Sequence, residues 1–434
     1  MLRRIFLPML AVVAGTLPSS VVARELPVAR PESVGMSTER LARIDTLLQR
    51  YVTSGQIVNA VTLVLRDGKV VQQGAYGNMD PNAGTPMRAD ALFRLASESK
   101  PITAVAILAL VDEGLVRLSD PVSRFIPEFR GARVAVSKPG MPPFVPLPPG
   151  ASAPVPKPEA DFVAATREIT VRDLLTHTSG LGSGGLGSIV ASDIQRQPTE
   201  KLADFIPRQA KAPLDFQPGS RWSYSVSAGF ETLGRIVEIA SGKPFDVFLK
   251  ERIFGPLDMR DTDFVVPAGK LPRLHSMYRR TPDGKWEPSQ PPPTFLSDVY
   301  FSGATGLIST ARDYARFEQM LLNGGELDGV RVLAPRTVEL MRTNHVGDLF
   351  HGMRGNEDGM GFGLGVAITL DETKAQWRRS VGSAGWYGAF GTIVWHDPRE
   401  GIVAVLATQQ SSPALQNDFG NAVMQAITVS RPAK

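Results

Sequence analysis

The sequence contains no cysteine. That absence excludes disulfides, a lipid-modified cysteine anchor, thiol catalysis and cysteine-ligated metal sites together. Histidine is scarce: only His177, His275, His345, His351 and His396 occur. None sits in an HExxH pattern, which argues against a zinc hydrolase. No GxSxG stretch occurs, so the strand–turn–helix elbow that exposes a serine in many hydrolases is not a competing reading. Beyond the first 23 residues no run of about 18 apolar residues offers a membrane span. There is no block of about five or six like charges. Formal net charge is only +4, so no electrostatic footprint for nucleic acid is present.

What remains is an ordinary globular composition, 43% hydrophobic and 21% charged over 434 residues. This length suits one large fold with a subdomain, or two to three domains. At the start, Arg3 and Arg4 precede the apolar IFLPMLAVVAGTL. SSVVA follows, with Val21 and Ala23 at the small-residue positions of a cleavage site. Residues 1–23 are therefore predicted to be a signal peptide cut after Ala23. The mature protein is predicted to be secreted or periplasmic, with no stable membrane anchor. Cleavage removes two arginines and no acid, lowering formal charge from +4 to +2.

MSTERLARIDTLLQRYV (36–52) has the pattern of a capped amphipathic helix. AVTLVLRDGKVVQQGAYG (60–77) predicts a hairpin turning at Asp67-Gly68. GTIVWHDPREGIVAVLATQ (391–409) predicts a second, turning around Asp397-Pro398, and PALQNDFGNAVMQAI (413–427) a closing helix. Strands thus lie at both ends of the chain around a mainly helical middle. The expected fold is α/β of the α+β type: an antiparallel sheet built from both termini, flanked by helices, with an inserted helical subdomain. In residue terms, 24–95 and 365–430 form the α/β part of a 24–430 domain, and 96–364 the mainly helical part. Residues 137–158 hold nine prolines. They predict an extended surface loop, either a solvated insertion or a lid facing substrate.

LASESKPITA (95–104) carries the candidate chemistry. Ser97 and Lys100 are three apart, which places them on one helical face, whereas Ser99 points elsewhere. A serine hydroxyl needs a base to become a nucleophile. Lysine can be that base when burial or a nearby cation favours its neutral form. Pro101 places the pair in or before the first helical turn, where free N–H groups suit a developing oxyanion. A capping serine beside a surface lysine would leave the same trace.

The longer stretch FRLASESKPITAVAILALVDEGLVRLSDPVSRFIPEF (93–129) resembles the serine β-lactamase-like superfamily. So do ITVRDLLTHTSGL (169–181), PGSRWSYSVSAGFETLGRIVEIASGKPF (218–245), GPLDMRDTDF (255–264) and FSGATGLISTARDYARFEQMLLNGGELDGVRVL (301–333). They run in collinear order across most of residues 30–410. Within the superfamily the chain looks like family VIII carboxylesterases and their class C β-lactamase relatives.

That resemblance implies Ser97 as nucleophile, with Lys100 and Tyr224 sharing protons as general base and acid. Tyr224-Ser225-Val226 matches a Tyr-x-Asn element of which only the tyrosine is kept. A third motif, Lys-Thr-Gly or His-x-Gly, lines the site from a strand. Spacing to Asp397-Pro398 puts it on Ser383-Ala384-Gly385. The Trp-Gly-Gly version of the esterases instead fits Trp386-Tyr387-Gly388. Ser383, Gly385 and Trp386 are accordingly the candidates for substrate and oxyanion contacts, with the Trp386 N–H as the strand's oxyanion donor. His177 is read as structural and Asp173 as support for the turn beside it. No cofactor or metal is implied. The partner is a small-molecule ester or amide, with no nucleic acid. Ser383 and Val226 replace a cation and an amide that would recognise an anionic β-lactam, which favours an uncharged ester. A β-lactamase, D-aminopeptidase or other amide hydrolase on the same scaffold is the enzymatic alternative. A penicillin-binding-like protein that binds cell-wall fragments without turnover is the other.

Overall fold

The computed structural model describes residues 25–81, 84–141, 144–145, 157–291, 297–353, 358–375 and 377–431. The predicted signal peptide and most of the proline-rich segment lie outside these residues.

The first helix, α1 (Thr38–Thr53), starts where Ser37 accepts the Arg40 N–H and so caps a free helical donor. Strands β1 (Asn59–Arg66) and β2 (Lys69–Asp80) form the expected hairpin. Its turn needs two consecutive positive φ angles, supplied by Asp67 at 54° and Gly68 at 73°. A short β3 (Thr85–Pro86) follows at the edge. The remaining strands come from the other end of the chain: β4 (Met360–Phe362), β5 (Ala367–Thr369), β6 (Ala384–Tyr387), β7 (Ile393–Asp397) and β8 (Ile402–Ala407). The eight strands order as β4-β5-β6-β7-β8-β1-β2-β3, antiparallel throughout. β1 and β8 pair Val61 with Ala407 through Arg66 with Ile402, so the two termini meet at the middle of the sheet.

Strand periodicity sorts the side chains into two cores. Val61, Leu63, Leu65, Val403 and Val405 face the helical part, while Ala60, Val64, Ile402, Ala404 and Leu406 face α1 and the closing α6 (Pro413–Met424). All eight residues of β1 are buried because both faces are covered. Each fully buried Val, Leu or Ile contributes about 1.5–3 kcal/mol. On the inner face lie α2 (Ser99–Asp112), α3 (Val171–Leu175), α4 (Ala228–Ser241) and α5 (Ala311–Leu322). α2 is buried from Ser99 to Leu110 and, beyond Thr103, apolar all round, as a helix enclosed by sheet and subdomain must be. The predicted architecture is therefore the observed one. Around the proline-rich segment, Arg133–Ser137 pairs antiparallel with Ala160–Ala164, forming a separate ribbon. Among the described residues, no helix is long and apolar enough to cross a membrane, and no cluster of three or more metal-ligating side chains occurs.

Candidate active site

Ser97 lies in a single 3-10 turn, Ala96–Glu98, that leads directly into α2. Ala96 adopts φ of 47°, a conformation costly for a residue with a Cβ. The turn is held by neighbours: Leu95 N–H donates to Leu307 O, and Tyr314 OH to Glu98 O. No acceptor meets the Ser97 N–H among the described residues.

Lys100, the second residue of α2, is buried. Its Nζ lies 3.2 Å from Ser97 Oγ, 2.8 Å from Val226 O and 3.1 Å from Ala304 O. As an ammonium, it has three donors for three acceptors. As an amine, it gives two N–H groups to the carbonyls and turns its lone pair to the serine hydroxyl. The same three partners satisfy both protonation states, so a proton can pass from Ser97 without rearrangement. Tyr224 OH donates to Ser97 Oγ at 2.7 Å. Ser97, Lys100 and Tyr224 are therefore brought together around one oxygen. Ser99 is not among them: its Oγ accepts the Leu307 N–H at 3.1 Å, on the far side of the turn.

Each carbonyl is fixed from behind. Ser302 Oγ and Tyr300 OH donate to the buried Glu231 of α4, and Thr103 OH to Gly303 O, which together hold Ala304 in place. The Tyr224 segment is held by His177. The Ser223 N–H donates to His177 O at 3.0 Å, and the Ser225 N–H to its Nδ1 at 3.1 Å. His177 is buried, and its ring centroid is 4.7 Å from that of Tyr224. Burial, reinforced by the charge of Lys100, pushes its pKa well below 6.5. Neutral, with Nδ1 accepting, it keeps its proton on Nε2 and touches no hydroxyl of the site. Asp173 supports the same turn by accepting from Arg167 at 2.6 and 2.8 Å and from Thr170.

Backbone contact distinguishes the two candidate stretches for the third motif. A Cβ on Gly388 would strike Leu95 O, whereas one on Gly385 would strike Val394 O on the neighbouring strand β7. Trp386-Tyr387-Gly388 is thus the stretch that packs on the nucleophile's turn. The Trp386 N–H is not the oxyanion donor expected of it. Trp386 stands opposite Val394, and two residues on, the Gly388 N–H donates to Thr392 O. Alternation along the strand puts both N–H groups in the β6–β7 ladder. The Ala389 N–H, in the turn that follows the strand, has no acceptor among the described residues. Ser383, just before β6, and Gly385, within it, are not part of this contact; both line a cavity beside the strand. The Trp386 ring does reach the site, 5.7 Å from Tyr224. With Trp222, Phe350 and Phe362 it forms an aromatic wall.

Residue-type reasoning missed the two lysine-binding carbonyls and the Ala389 N–H, since main-chain groups leave no signature. It also passed over Glu98. This side chain is fully buried beside the nucleophile; burial, and then the charge of Glu318, raise its pKa well above 4.5. The folded protein therefore holds a proton that the unfolded chain releases near pH 4.5, so this group's effect is to lower stability as pH rises above that value. Glu98→Gln is expected to melt higher than the parent at pH 8, with the advantage shrinking toward pH 4. A difference independent of pH, in melting curves across that range, would contradict this.

The comparisons agree with the geometry. A model of the family described as Beta-lactamase matches residues 44–427. Protein Rv1367c of Mycobacterium tuberculosis (strain ATCC 25618 / H37Rv) is 36% identical over 386 residues, covering 87% of this chain and 91% of the relative. Esterase EstB of Burkholderia gladioli is 30% identical over 416 residues, covering 89% and 94%. Among solved structures, EstCE1, described as a hydrolase with promiscuous acyltransferase activity, superposes with a TM-score of 0.71 at 25% identity, covering 90% of this chain and 99% of that one.

Proposed function

The chain belongs to the beta-lactamase family and is a serine hydrolase or acyltransferase on that scaffold, and we propose that its own reaction is the cleavage of uncharged carboxylic esters through an acyl-enzyme on Ser97. The observation that carries this is the meeting of Lys100 Nζ and Tyr224 OH on Ser97 Oγ, at 3.2 and 2.7 Å. Ser97 Oγ attacks the ester carbonyl and its proton passes to Lys100 Nζ, which serves as the base across the 3.2 Å contact. The oxyanion is received by the Ser97 and Ala389 N–H groups. As the C–O bond breaks, Tyr224 gives its proton to the departing alkoxide, and the Lys100 ammonium restores it. Water then repeats the sequence on the acyl-enzyme. An alcohol could take the place of water, in keeping with the acyl transfer named for EstCE1.

Preference for a neutral substrate is supported by the aromatic wall and by the third motif, where a tryptophan stands in the place of a lysine or histidine. The test is a panel of p-nitrophenyl esters, nitrocefin and D-amino-acid amides, with intact-mass detection of an acyl adduct. Fastest turnover on the esters with transient acylation is expected. Turnover confined to amides, or a stable complex without turnover, would overturn the reading.

Export completes the proposal: the charged start, apolar run and small-residue site of residues 1–23 support a secreted or periplasmic enzyme. N-terminal sequencing of the exported protein should begin at or near Arg24. An intact Met1 there would refute the cleavage.

A further inference from the structure

Beside β6 lies a cavity lined by Arg379, Ser383, Trp377, Trp386, Thr369 and Tyr387, among others. Its volume is about 30 Å³. That is room for about two waters, and far too little for a substrate.

Its polar lining is one-sided. Arg379 is 6% exposed and Ser383 2%. Arg379 Nε, Ser383 Oγ and Trp386 Nε1 are all buried without a hydrogen-bond partner among the described residues. Trp377 Nε1 is already used, donating to Thr369. Guanidinium and indole groups can only donate, and a serine hydroxyl can donate too. The guanidinium carbon lies 4.3 Å from the Trp377 ring centroid and 4.5 Å from that of Trp395. Two aromatic faces favour the cation, but guanidinium N–H groups point outward in its own plane and still need acceptors. No ion pair to Arg379 occurs among the described residues. Asp397, the carboxylate that feels its charge, is occupied in accepting the N–H groups of Ser380 and Glu400. Burial pushes the Arg379 pKa down to about 9, so it is still a cation at neutral pH.

A buried cation with unused donors is costly unless an acceptor joins it. We propose that this cavity is a built site for one small monovalent anion, a halide or a formate-sized carboxylate, held by Arg379 and Ser383. The site is separate from the ester-cleaving centre and does not depend on the reading of that centre.

Sodium chloride, bromide and formate, each titrated against sodium sulfate at constant ionic strength, test the proposal on the mature protein. A ligand held only by the folded state raises the melting temperature in a saturable way. The three small anions should do so, and bromide should also quench tryptophan fluorescence over the same saturable range. Arg379→Gln should weaken the half-saturation point by about 10- to 100-fold, as expected for loss of a charged hydrogen bond. Ser383→Ala should weaken it by about two- to tenfold. If Arg379→Gln fails to fold, the Ser383→Ala titration decides alone. Effects that rise without saturation, or differ from sulfate in no respect, mean that water fills the cavity and overturn the proposal. Unchanged half-saturation in the variants overturns it equally.

Discussion

Ser97→Ala is expected to lower ester hydrolysis by about 10⁴-fold or more and to abolish covalent labelling by a fluorophosphonate. The substitution removes the atom on which Lys100 and Tyr224 converge, so the covalent route disappears, leaving only binding and the oxyanion donors. Ser99→Ala is the control, two residues away in the same turn. Its hydroxyl is spent on the Leu307 N–H, so loss should cost about 1–3 kcal/mol of stability by leaving a buried donor unpaired. Its kcat, measured well below the melting temperature, should stay within about tenfold of the parent. Equal losses of activity in two folded variants would mean that the turn, rather than the Ser97 oxygen, is what the reaction needs.

The contrast between these serines is legible in the sequence, because a three-residue spacing on a helix has one geometric meaning. The same holds for the sheet: strand-like apolar runs flanking Asp67-Gly68 and Asp397-Pro398 define two hairpins, and their burial on both faces demands helices above and below. Contacts between main-chain atoms distant in sequence are not legible in this way. Val226 O and Ala304 O bind Lys100 through groups that every residue possesses. The third motif is ambiguous in the sequence for a related reason. Ser383-Ala384-Gly385 and Trp386-Tyr387-Gly388 both end in glycine three residues apart, and only the packing of Gly388 on Leu95 O chooses between them. Arg379 carries no signal because a charged residue in an RR dipeptide reads as solvated surface, whereas its neighbours fold it between two tryptophan rings.

That choice of motif decides what the enzyme should reject. With Trp386 in the place of the recognition cation, a β-lactam carboxylate entering the site meets an indole ring instead of a charge-assisted hydrogen bond, a loss of about 1.5–3 kcal/mol. Val226, in the place of the asparagine, offers an apolar side chain and a carbonyl already bound to Lys100, which removes a neutral hydrogen bond of about 1 kcal/mol more. Acting independently, the two amount to roughly 10²- to 10³-fold in specificity constant, since about 1.4 kcal/mol is tenfold. A short-chain p-nitrophenyl ester has no carboxylate and escapes most of this loss. It should therefore be preferred over nitrocefin by at least about 10²-fold in kcat/KM. Trp386→Lys should narrow that gap mainly by improving nitrocefin. Ser383→Lys should not, because position 383 opens on the Arg379 cavity, where a second buried cation would destabilise the fold before it could reach a substrate. Comparable efficiencies for ester and β-lactam in the unmodified protein would sink this reading, since some other cation would then be meeting the carboxylate beside Ser97.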